Sequence, residues 1–210
     1  MKALFAIILT VVVSTLTAQD KYTETMSKKI EAAYKAKTVA EHQEAANAFE
    51  RIAAAEKTKW EPYYYAAYSY IMMANTETEN GKKDAYLDLA AKDIDQAKAI
   101  KANDSEITAL EGFIHMIRVT VDPMTRGQEY SGKAFRSFST AVALNPENPR
   151  ALALLAQMQF GTAQFFGNST SEACGTAEKA LQKFESYKAD NVLAPQWGKT
   201  LAQGLKANCK

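Results

Sequence analysis

Leu144-Asn145-Pro146-Glu147-Asn148-Pro149-Arg150-Ala151 is a turn between two helical stretches. The first helix ends at Leu144. Asn148 has the side chain to cap the next helix, and Pro149 falls in its first turn, where an amide has no helical acceptor to lose. Working outward, Ala134 and the large apolar Phe138 stand four residues apart before the turn, and Ala156 lies 22 residues after Ala134. The same spacing recurs in Ala45, Phe49 and Ala67, in Ala90, Ile94 and Gly112, and in Ala180, Phe184 and Ala202. The units are staggered by 45, 44 and 46 residues. Small residues at matched places let two helices approach closely, while the large residue fills the space beside them. The equivalent turns are Lys57–Glu61, Lys101–Ser105 and Lys188–Leu193.

Helical periodicity runs through most of the chain and period-two alternation is scarce, so the expected fold is all-α: a short α-α solenoid of about nine helices. They are expected near 22–37, 39–56, 60–74, 83–100, 104–119, 129–144, 149–165, 176–188 and 195–207, the first and last acting as caps. From each unit's second small residue to the next unit's Ala there are 23, 22 and 24 residues. Asn80-Gly81, Asp122-Pro123 and Gly167-Asn168 punctuate these stretches, which predicts long loops over Asn75–Lys83, Thr120–Tyr130 and Gly167–Gly175, all on one edge.

The repeat resembles the tetratricopeptide-repeat family over roughly residues 39–208. Ala134, Phe138, Ala141 and Pro146 match the second half of that family's motif, Leu155-Ala156 and Leu201-Ala202 its leucine–small pair, and Tyr70 its later tyrosine. Glu111 and His115 depart from it, and the lengthened spacing exceeds the roughly 12 residues that a 34-residue period leaves. The resemblance implies a concave groove that binds a protein or peptide. Carried over position by position, the groove is lined by Tyr64, Tyr68, Glu106, Phe113, Arg150, Gln157 and Phe160. Tyr64 and Tyr68 belong to a run of six aromatics in eleven residues, Trp60 to Tyr70, of which Tyr63 and Tyr70 fall at packing positions. Tyrosine suits an interface because its body is apolar and its tip polar. The first helix, Lys21–Lys37, is an alternative occupant of this groove.

The N-terminus sets the compartment. Lys2 precedes an apolar run, Ala3–Leu16, and Thr17-Ala18-Gln19 offers a cleavage point, so residues 1–18 read as a signal peptide and 19–210 as one helical-repeat domain. The run is shorter than the ~20 residues of a spanning helix, and export to the periplasm or beyond is expected, without stable membrane insertion after cleavage. A net charge of +1 gives no broad field for nucleic acid. Cys174 and Cys209 are the two cysteines. In an oxidising compartment an even count suggests a disulfide, and these two sit at neighbouring ends of the last helical hairpin.

No catalytic constellation emerges. Gly127-Gln128-Glu129-Tyr130-Ser131-Gly132-Lys133 follows a phosphate-loop pattern, but Ala134 stands where Ser or Thr is required and a helix precedes it instead of a strand. It reads as a loop entering a helix. His42 reads as a solvated residue near a helix start and His115 as an interior histidine; too far apart to share a site, they give neither triad nor metal cluster. Asn168-Ser169-Thr170 fits a glycosylation acceptor only formally. The expected function is thus an exported, non-enzymatic scaffold binding a protein or peptide, with no metal or cofactor. The alternatives are a small-ligand site or enzyme in the long loops near Asp122, Arg126 and Tyr130, and a structural part of an envelope assembly.

Overall fold

A computed structural model describes residues 2–209, with side chains from Gln19 onward. Among the described residues the chain is nine helices: α1 (Lys2–Lys35), α2 (Val39–Ala55), α3 (Glu61–Thr76), α4 (Asn80–Ile100), α5 (Ser105–Val121), α6 (Pro123–Leu144), α7 (Pro149–Phe165), α8 (Ser171–Ser186) and α9 (Lys199–Ala207). Each helix packs on its neighbours in sequence, and the odd-numbered helices also touch one another in series from α1 to α9. This is the expected all-α solenoid-like arrangement, with the odd-numbered row forming one continuous face. The expected signal peptide, 1–18, lies outside the residues whose side chains are described. Among the described residues no helix is long and apolar enough to cross a membrane.

The repeat positions do the packing. Ala45, Phe49, Ala67, Ala90, Ile94, Ala134, Phe138, Ala156, Ala180 and Ala202 are all buried, and Phe184 is half-buried. Gly112 is pressed so close to the Phe138 ring that a Cβ there would overlap it. The turns are fixed by side-chain caps. Thr38 and Glu41 form a reciprocal capping box on α2, Asp104 accepts from the Glu106 and Ile107 amides, and Asn148 accepts from those of Arg150 and Ala151. Adjacent units are also stitched turn to turn: the Asn148 amide donates to the Ser105 hydroxyl, which donates to the Ala141 carbonyl.

The long one-edge loops are not there. Between α3 and α4 lie only residues 77–79, between α5 and α6 only Asp122, and between α7 and α8 only 166–170. The extra residues lengthen helices, α4 to 21 residues and α6 to 22. Asp122-Pro123 starts a helix instead of a loop, because Asp122 caps α6 through the Thr125 amide and Pro123 occupies its first position. Gly81, Gly127 and Gly132 are tolerated inside helices at about 1 kcal/mol each. The Gly127–Lys133 pattern is therefore helical throughout, within α6. At the C-terminus the departure is opposite. The helix expected from 195 begins at Lys199, leaving a long irregular segment, 187–198, between α8 and α9.

Candidate functional site

The odd-numbered helices bring five of the seven predicted groove residues together. Tyr64 and Tyr68 come from α3, Glu106 and Phe113 from α5, and Arg150 from the first turn of α7. Gln157 and Phe160 sit farther along α7. Phe160 belongs to a separate buried cluster with Ala156, Ala173, Ala177 and Leu205, and both line a shallow cleft of about 510 Å³ between α7 and α9.

The groove is covered by the chain itself. Residues 187–198 cross it as a strap, and α1 closes one side with Tyr34. The Trp197 indole lies over Tyr68, with centroids 5.4 Å apart, and stacks on Phe113 at 6.0 Å and 25°. Its N–H donates to the Tyr64 hydroxyl at 3.0 Å. The Tyr65 hydroxyl donates to the Leu193 carbonyl at 2.7 Å, and the Gln196 amide donates to the Tyr34 hydroxyl at 3.2 Å. Tyr34 meets Tyr65 and Tyr68 edge-on. Burial raises the phenol pKa of Tyr64 well above the ordinary value, with the Glu106 charge adding to it, and also raises those of Tyr65, Tyr68 and Tyr34. These hydroxyls stay neutral and act as hydrogen-bond donors and acceptors.

Arg150 anchors the floor. It is 0% exposed, and its Nε and Nη2 grip the Glu106 carboxylate at 2.6–2.9 Å. Burial raises the pKa of Glu106 against the downward pull of Arg150. Burial acts to lower that of Arg150, but Glu106 outweighs it and the guanidinium stays charged. Nη1 is buried without a hydrogen-bond partner among the described residues. Both ends of the strap meet here: the Tyr187 ring lies 4.4 Å from the guanidinium carbon, and a Cβ on Gly198 would come within 3.1 Å of Arg150 Cγ. Gly198 has φ +101°, so glycine is required both for the backbone and for this close approach.

Where the strap leaves the turns, a partly open cavity of about 300 Å³ is lined by residues including Trp60, Lys101, Glu106, Lys183, Tyr187 and Asp190. The Lys101 ammonium sits over the Trp60 ring at 4.6 Å. Lys101 also pairs with Asp104, and Lys183 with Glu147, so the lysines of this lining are matched by carboxylates.

The remaining candidates have structural roles. Asp122 is a helix cap. Arg126 pairs with Asp84, which also binds Arg118. Tyr130 lies beside His115, under Arg118 and Lys133. His115 is half-buried. His42, expected in solvent, is buried: it lies one turn inside the Thr38 cap, on the helix face that carries Ala45, Ala46 and Phe49. Burial lowers the pKa of both imidazoles. Among the described residues no group of three or more His, Cys, Asp or Glu is placed to hold a metal ion. Cys174 and Cys209 are joined in a disulfide with Cα atoms 5.8 Å apart, as expected.

No protein-family model and no curated protein matches the sequence. Among solved structures, the HusA haemophore from Porphyromonas gingivalis has 31% sequence identity and a TM-score of 0.81, over 90% of this chain and 92% of that one. This chain belongs to the HusA haemophore family. The likeness is thus to a binding protein, and the disulfide of this HusA-family chain is of the kind that persists outside the reducing cytosol. Sequence reading missed Tyr34, Tyr187, Trp197 and Gly198, because 188–193 resembles the other short turns. The available signal was Pro195, Trp197 and Gly198 in a stretch without helical periodicity.

Proposed function

We propose that this chain is an exported, non-enzymatic binding protein whose cargo is haem or a related flat tetrapyrrole. The observation that carries the reading is the likeness to a haemophore in both sequence and fold over nearly the whole chain. The site chemistry supports it. A row of aromatic faces on α1, α3 and α5 suits a conjugated ring, and Nη1 of Arg150 offers a donor to a ring carboxylate. The disulfide and the N-terminal apolar run support export.

The repeat anchors Ala134, Phe138 and Ala141 favour a tetratricopeptide-like frame for this function. The protein or peptide partner that such a frame implies ranks second, because the solved structure that this chain resembles over nearly its whole length is a haemophore.

The test is a haemin titration of purified protein, followed by Soret absorbance and by calorimetry. Saturable binding with defined stoichiometry is expected at micromolar concentrations or below. A linear, unsaturable response would overturn the reading.

A further inference from the structure

The first part of the strap is loosely held. Residues 188–192 are exposed. The rest is fastened by the buried Leu193, Ala194 and Pro195, by three hydrogen bonds to neutral phenols, each contributing about 1 kcal/mol, and by the Trp197 side chain, itself only half-buried. What the strap places in the groove is a flat conjugated ring, set against Phe113 and Tyr68 with its one polar atom on Tyr64. At the two ends of the strap, against Tyr187 and Gly198, lies the wholly buried guanidinium of Arg150, whose Nη1 has no hydrogen-bond partner among the described residues. A ring held this way has the chemistry of a stand-in. A planar ligand carrying a carboxylate would satisfy the same rings and also pair with Nη1 of Arg150, which the strap leaves unpaired.

We infer that the groove beneath residues 187–198 is the ligand site, that the Trp197 indole holds the place of the ligand's ring, and that the strap lifts about Tyr187 and Gly198 before a planar aromatic acid enters. This rests on the proposed tetrapyrrole-binding function and adds the site, the contact to Arg150 and the competition. Tyr68 and Phe113 would take the ring faces. The hydroxyls of Tyr34, Tyr64 and Tyr65, released from the strap, would become available to polar substituents.

The competition fixes the sign of the test. An internal occupant lowers apparent affinity in proportion to the fraction of time the site is open. Haemin is titrated into the native chain, Trp197→Ala and Phe113→Ala, with folding verified by circular dichroism. The expected result is at least a several-fold tighter Kd and faster association for Trp197→Ala, and weaker binding for Phe113→Ala. Equal or weaker binding by Trp197→Ala, with a native chain that does bind, overturns the inference and leaves the tetrapyrrole reading standing. No binding by any of the three overturns both. Hydrogen exchange of the native chain gives a readout free of substitution. Haemin should reduce protection of the Gln196 amide, which donates to Tyr34; increased protection there overturns the inference.

Discussion

Gly112 of α5 lies flat against the ring of Phe138 of α6, close enough that a single methyl group on Gly112 would collide with it. The small residue of one repeat receives the large residue of the next. Gly112→Ala should therefore destabilise the fold by about 1–3 kcal/mol, since overpacking a filled core outweighs the gain in helix propensity. Gly161→Ala and Gly204→Ala are the controls. Among the described residues a Cβ at either meets nothing within 4 Å, so each should raise stability by about 0.5–1 kcal/mol. Urea midpoints of the three variants check the contrast.

The Arg150–Glu106 pair predicts strong non-additivity. Arg150→Met leaves a buried carboxylate and Glu106→Leu a buried guanidinium, and each should cost about 3–5 kcal/mol. The double variant should recover much of that loss, because apolar groups of similar volume replace both charges. Additive losses in denaturant unfolding would show that the two side chains are not coupled.

Asp93 makes stability depend on pH. It is buried on α4 with Oδ2 unpartnered among the described residues, and burial, reinforced by the nearby Glu50 charge, pushes its carboxyl up to about 7. In the unfolded chain it titrates near 4. The folded pKa is the higher one, so its contribution is fully present below about 4 and is lost as pH rises through about 7. The loss is on the order of 2–4 kcal/mol. Asp93→Asn should be more stable than the native chain at pH 8 and flatten the profile between pH 5 and 8. An unchanged profile counts against this assignment.

The Cys174–Cys209 bond closes a loop with a sequence separation of 35. Such a cross-link contributes about 3–4 kcal/mol through the entropy of the unfolded chain. Reduction, or the paired substitution of both cysteines by serine, should lower Tm by about 10 °C. The loss should be felt first at α9, the shortest helix, and in the strap that α9 anchors.

Much of the scaffold is legible in the sequence because local rules and the repeat agree. Asn148 before Pro149 marks a helix start by itself, and the 22-residue offset from Ala134 to Ala156 places the facing helix. The connections were misread because Gly81 and Gly127 carry the same local signal in an exposed helix as in a turn, and only tertiary packing decides between the two. The groove was legible in part. Glu106 and Arg150 share one repeat position, before Gly112 and Ala156, and Tyr68 and Phe113 share another, directly after Ala67 and Gly112, whereas Trp197 arrives from a segment that obeys no repeat. His42 shows the same limit. Its neighbours in sequence are polar, and its burial follows from which helix face meets the core.

The hydrogen bond from Tyr65 to the Leu193 carbonyl spans 128 residues of chain, whereas most contacts of the fold join successive helices. Local contacts form early and cheaply, and long-range closure comes late and slowly. A chain emerging from its N-terminus would stack α1 to α7 before residues 187–198 exist to cover them. For that interval the ring faces of Tyr64, Tyr68 and Phe113 are bare and adhesive. The nascent protein is then most prone to aggregation just before it finishes folding.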